Sequence, residues 1–100
     1  MPEMIFAVRW PDGRVEQCYS PSLVMHDHLS AGTSYTVADF AARSTRALDI
    51  ASDRVKEKFG FACTSASATT DQIQRSASSY PAGDLVQVLA MHPPLPVEQP

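Results

Sequence analysis

Apolar and polar positions alternate from the start of the chain. Over residues 3–10, Met4, Phe6, Val8 and Trp10 alternate with Ile5, Ala7 and Arg9. A period of two predicts a strand with one fully apolar face and one partly apolar face. Pro11-Asp12-Gly13 follows: proline sets φ, aspartate bonds locally and glycine supplies positive φ, so this is a turn. Residues 14–19 return as a second strand, closing a hairpin. Near the other end, residues 85–91 read Leu-Val-Gln-Val-Leu-Ala-Met and predict a last strand. It is expected to join the hairpin, because two strands alone are marginal in water.

Between the strands the spacing changes to that of helices. Ser20-Pro21 offers a cap and a first-turn proline for a short helix over 21–29, with Leu23, Val24 and Met25 as its apolar side. Gly32 marks its stop, and residues 34–37 read as a short extended piece. Thr36 to Asp39 resembles a capping box and opens the longest helix, 37–59. Val37, Phe40, Ala41, Ser44, Ala47, Leu48, Ala51, Val55 and Phe59 fall in one arc at 100° per residue. Gly60 ends the helix, with Phe61 expected to fold back on its last turn. A weaker, Ser- and Thr-rich helix is predicted over 65–79, with Ala66, Thr70, Ile73, Ala77 and Tyr80 on one side and Pro81 as its break.

These elements predict an α+β fold: a small, mostly antiparallel sheet, hairpin plus C-terminal strand, packed with two to three helices. Residues 1–92 are expected to form one domain. Residues 93–100, with Pro93, Pro94, Pro96 and Pro100, read as a proline-rich flexible tail.

Two-sided apolar strands pose a covering problem, since one layer of helices covers one face of a sheet. The predicted answer is a homo-oligomer. Its contact is placed either on the second face of the sheet or on the outer face of the long helix. There Ile50 lies on the polar side, surrounded by Arg43, Arg46, Arg54 and Glu57. An apolar centre rimmed by charge is a common interface design.

Charge narrows the partners. The 100 residues carry a net charge of −3 with both signs mixed, and no basic stripe is present. Nucleic acid is therefore not an expected partner. No apolar run approaches the roughly 20 residues that span a bilayer. Met1-Pro2-Glu3 lacks a basic leader start, so a cytoplasmic chain with reduced Cys18 and Cys63 is expected.

Candidate chemistry is sparse. In His26-Asp27-His28 the two imidazoles are two residues apart, and on a helix they diverge by about 200°. No spacing resembles a zinc motif. Asp49, Asp53 and Glu57 recur every fourth residue beside Arg46 and Lys56, as on a solvated helix face. There is no GxGxxG and no Walker sequence. No catalytic, cofactor-binding or metal-ligating residue is predicted. Cys18 or Cys63 with a histidine is the one nucleophilic combination available, and it needs a base beside the thiol in an open pocket.

A longer series of residues carries a resemblance. It runs from Met4–Trp10 and Pro11-Asp12-Gly13 to Cys18-Tyr19-Ser20-Pro21-Ser22 and Gly32-x-Ser34-Tyr35-x-Val37-x-Asp39-Phe40. It continues in Ala47-Leu48-x-Ile50-Ala51-Ser52-x-Arg54-Val55 and Phe59-Gly60-Phe61-Ala62-Cys63. Together these resemble the nitrogen starvation response family of small bacterial proteins, of mycobacterial type, over about residues 1–91. The Ser-rich third helix and the proline tail depart from it. The resemblance implies a gene cluster with a nitrilase, a radical-SAM protein, an acetyltransferase and a flavin-dependent oxidoreductase, serving nitrile or cyanide use. The expected function is a non-enzymatic accessory or interaction protein of that cluster. The alternative is a small enzyme or ligand carrier of the nitrile pathway, using Cys18 or Cys63 with a histidine.

Overall fold

A computed structural model describes residues 3–60 and 64–93. Strand β1, Met4–Arg9, and strand β2, Val15–Ser20, form the hairpin. Its turn is closed by Trp10 N–H donating to the Arg14 carbonyl and Gly13 N–H to the Trp10 carbonyl, both at 2.8 Å. Gly13 sits at φ +90°, the left-handed region that disfavours a side chain. Asp12 Oδ1 accepts from Arg14 N–H at 3.0 Å, the local bond expected of aspartate in a turn.

The short helix is a 3-10 turn, Leu23–Asp27, later than expected from Ser20-Pro21. Ser22, not Ser20, is its cap, accepting from Val24 N–H at 3.2 Å. The Ser20 hydroxyl instead bonds Ser22, donating to its carbonyl at 2.8 Å, so the pair of serines bends the chain before the turn begins. Strand β3, Ser34–Thr36, runs directly into helix α1, Val37–Phe59. Thr36 caps α1, its hydroxyl accepting from Asp39 N–H at 3.1 Å. Gly60 ends it at φ +83°, its N–H on the Lys56 carbonyl at 2.7 Å. The fold-back expected of Phe61 lies outside the described residues. Helix α2, Thr64–Ala77, and strand β4, Leu85–His92, complete the order.

All strand pairs are antiparallel, in the order β2-β1-β4-β3. The C-terminal strand thus joins the hairpin at β1, as expected, and the short extended piece adds a fourth strand beyond it. Val8 pairs with Val88 but Ala7 with Ala90, so Leu89 is an extra residue on β4, a β-bulge.

One core lies between the sheet and the helices. Met4, Phe6 and Val8 of β1, Cys18 of β2, and Val86, Val88 and Met91 of β4 supply its sheet side. Val37, Phe40, Ala47, Leu48 and Ala51 of α1 and Ala66 and Ile73 of α2 supply the other. Of the arc read from the sequence, Val55 is half-buried and Phe59 is 53% exposed, so the last turns of α1 contribute little to the core. On α2 the buried positions are Ala66, Thr69, Ile73 and Ser76, a stripe rotated slightly from the one expected. Among the described residues, no helix packs on the opposite face of the sheet.

Candidate functional site

Polar side chains converge most densely at Glu16. Its position on β2 is in phase with buried Cys18 and Ser20, so its carboxylate points under α2. Oε1 accepts from Trp10 Nε1–H at 2.8 Å and from the Ser76 hydroxyl at 2.7 Å, and Oε2 accepts from Gln72 Nε2–H. Arg14 lies 3.4 Å from Oε1 and also donates to Ser76 Oγ at 3.0 Å. Burial pushes this carboxyl up; the bonds from Ser76, Gln72 and Trp10 and the charge of Arg14 outweigh it and leave it below its ordinary value. A carboxylate held by this many donors is a clamp between β2, α2 and the hairpin turn. The indole it holds stacks on Tyr80 at 5.5 Å and meets Phe40 edge-on at 5.5 Å. The clamp has a sequence signature: a glutamate on the inward phase of a strand.

Cys18 is next to this clamp. It is buried, and Gln72 Nε2 lies 3.9 Å from its sulfur. Burial, and then the charge of Glu16, push its thiol up to about 12. A thiol so protonated in the folded state is not a nucleophile at neutral pH. Among the described residues neither His26 nor His28 bonds to it, and His26 lies against the Pro93 carbonyl instead. Cys63 lies outside the described residues.

The histidine cluster is divided as its spacing predicts. His26 Nε2 lies 2.9 Å from the Pro93 carbonyl, while His28 lines an open hollow of about 740 Å³ above α1. That hollow also takes in Asp39, Arg43, Arg46, Asp49 and Gln74. It mixes both charges and is shallow, unlike the largely apolar, enclosing pockets that hold small ligands. Among the described residues, no three His, Cys, Asp or Glu side chains are grouped to hold a metal ion.

The stripe Arg43, Arg46, Ile50 and Arg54 lies along one side of α1. Arg43 pairs with Asp39 at 2.9 Å, donates to the His28 carbonyl at 3.2 Å and stacks over Tyr35 at 5.1 Å. Arg54 reaches Ser22 Oγ at 3.5 Å. The two arginines therefore tie α1 to both ends of the 3-10 turn. Ile50 differs from the expectation that it sits on the polar side: it is half-buried and packs against the core. The 3-10 segment rises beside α1 and widens its buried arc. Arg46 is exposed.

Three of the exposed large apolar side chains, Ile5, Val15 and Leu85, lie on the uncovered sheet face. Strand β1 places Ile5, Ala7 and Arg9 there, with Glu3 in the same phase. Across the register, Tyr19 and His92 flank Ile5, Gln17 and Ala90 flank Ala7, and Val15 and Gln87 flank Arg9. The bulge turns half-buried Leu89 toward this side beside Ala90. Ile5 is 38% exposed, Val15 52% and Leu85 61%. The Tyr19 hydroxyl donates to Glu3 Oε2 at 2.8 Å, orienting that carboxylate over the face.

Among the described residues no helix is long and apolar enough to cross a membrane. Comparison with curated proteins and with solved structures gave no match. A family model, that of the nitrogen starvation-induced protein NitG, matches residues 5–91. The match begins in β1 and ends in β4, so it takes in nearly all of the sheet, both helices and the clamp at Glu16. A four-stranded antiparallel sheet with helices on one face, matched along this length, places the chain in the NitG family of nitrogen starvation-induced proteins.

Proposed function

We propose that this chain is a cytoplasmic, non-enzymatic interaction protein of the nitrogen starvation response. It acts as a self-associated accessory of the nitrilase gene cluster that serves nitrile or cyanide use. The observation that carries this reading is the contrast between its polar groups and its open surface. Glu16, the best-endowed carboxylate, is saturated by Trp10, Ser76 and Gln72. Cys18 is buried and protonated. What remains outward is a sheet face carrying Ile5, Val15 and Leu85, and a helical layer on which exposed Arg46 lies beside Arg43 and Arg54, with Ile50 half-buried between them. On this reading the sheet face serves self-association and the α1 stripe meets the cluster enzymes.

Pairwise mixing of the purified chain with the nitrilase, the radical-SAM protein, the acetyltransferase and the flavin-dependent oxidoreductase tests the proposal. Binding to at least one is expected, weakened about tenfold by Arg46→Glu, a change of about 1.4 kcal/mol. No binding to any of the four, combined with nitrile turnover by the chain alone, would favour the enzyme reading based on Cys18 or Cys63.

A further inference from the structure

The geometry points to a two-fold dimer of this chain through the uncovered sheet face, with the β1 strands antiparallel and Glu3 of one copy against Arg9 of the other. The inference rests on the self-association just proposed and specifies its surface and register. Three observations select it.

The first is that the sheet edges are poorly suited to pairing. On the β2 edge, the Gln17 carbonyl accepts from Gln72 Nε2–H at 3.0 Å, so a side chain of α2 occupies an edge acceptor. On the other side β3 is only three residues long and borders Leu85–Gln87 of β4, with Gly32 and Thr33 bonding Val88 beyond it. Short or covered edges discourage strand addition. Association is thereby directed to the face.

The second is charge. Glu3, Ile5, Ala7 and Arg9 share one side of β1, with the acid at one end and the base at the other. A two-fold axis along the strands would stack Glu3 on Glu3 and Arg9 on Arg9. A two-fold axis across the strands, between Ile5 and Ala7, instead sets Glu3 against the second copy's Arg9. It also sets Ile5 over the small Ala7. Like charges brought together cost several kcal/mol, so the pattern chooses the second arrangement. The interface is isologous, as expected of a small homodimer.

The third is area. Four strands about 4.8 Å apart and about six residues at ~3.3 Å give a face of roughly 20 by 20 Å, about 400 Å² in projection. Side-chain relief raises the accessible area above this, toward the lower end of specific interfaces, which bury about 800 Å² per partner. The dimer is therefore reversible at micromolar concentration rather than obligate. The chain leaves the sheet at Pro93, whose carbonyl is held by His26 of the 3-10 segment, on the helical side and away from this face.

Sedimentation of the purified chain across a dilution series tests the dimer. A species of twice the 10.9 kDa chain mass is expected, dissociating on dilution. Ile5→Lys should abolish it with unchanged far-ultraviolet circular dichroism, since Ile5 is not part of the core. Arg9→Glu and Glu3→Arg should each weaken it about tenfold, and the double exchange should recover most of the loss. A chain ending at Pro93 should dimerise like the full chain. Three results would overturn the proposal: a monomer at all concentrations, a dimer indifferent to these substitutions, or a dimer appearing only after truncation, which would give the face to residues 94–100. Each is read on the chain alone and leaves binding to the cluster enzymes to be judged separately.

Discussion

Ser44 illustrates how one atom can weigh on the fold. It lies on the core side of α1 and is fully buried, and its Oγ has no hydrogen-bond partner. An unpaired buried hydroxyl costs about 1–3 kcal/mol by mutational measures. Alanine removes that cost and is the better helix former. Ser44→Ala is expected to stabilise the chain by about 1 kcal/mol, raising its melting temperature by about 4–8 °C for a domain of this size. Calorimetry decides it, and a lower melting temperature would mean that the hydroxyl has a role that its surroundings do not reveal. Glu16 is the opposite case. Its folded pKa lies below the ordinary value of 4.5, so the stability it gives is fully present above that value. That stability is lost as pH falls through the lower folded pKa. Glu16→Gln should cost about 1.5–3 kcal/mol at neutral pH, the range for hydrogen bonds to charged groups. It should also flatten the loss of stability on acidification, measured as urea midpoints between about pH 7 and pH 3. An unchanged acid slope would place the titrating group elsewhere.

At the scale of elements, the capping of α1 is the cleanest local device. Thr36 is exposed and its hydroxyl meets an otherwise unpaired N–H of the first turn. Thr36→Ala is expected to lower stability by about 1 kcal/mol, and Thr36→Ser to restore most of it. Urea denaturation of the three proteins separates a cap from a β3 packing effect, since serine keeps the oxygen and drops the methyl. This helix was also the most legible element. Its bounds, 37–59, follow from Thr36, Gly60 and a long apolar arc, all local signals. The hairpin was equally legible, through strict alternation and Asp12-Gly13. The 3-10 turn was misplaced because both Ser20 and Ser22 are cap-forming residues and only the bend between them decides which is used. Ile50 was misread for a longer-range reason. Helical phase alone puts it among arginines, whereas in the fold it is half-buried against the core, on a helix that the 3-10 segment lies beside. The Glu16 clamp joins three parts of the chain, the hairpin turn, β2 and α2, which no local signal links. The open sheet face was foreseeable from two-sided strands, but not that a side chain of α2 would occupy an acceptor on the β2 edge.

For the molecule as a whole, the placement of β1 governs the order in which the fold can be assembled. β1 pairs on one side with β2, a few residues away, and on the other with β4, so that Ile5 lies opposite His92. The hairpin can form within microseconds of its synthesis. The sheet cannot be completed until the chain between Ser20 and Leu85 has been made and its loop closed. On a ribosome adding about 5–20 residues per second, the hairpin must wait several seconds with both faces uncovered. Two strands alone are marginal in water, so until the last strand arrives the local bonds of the Pro11-Asp12-Gly13 turn are what favour the hairpin's register.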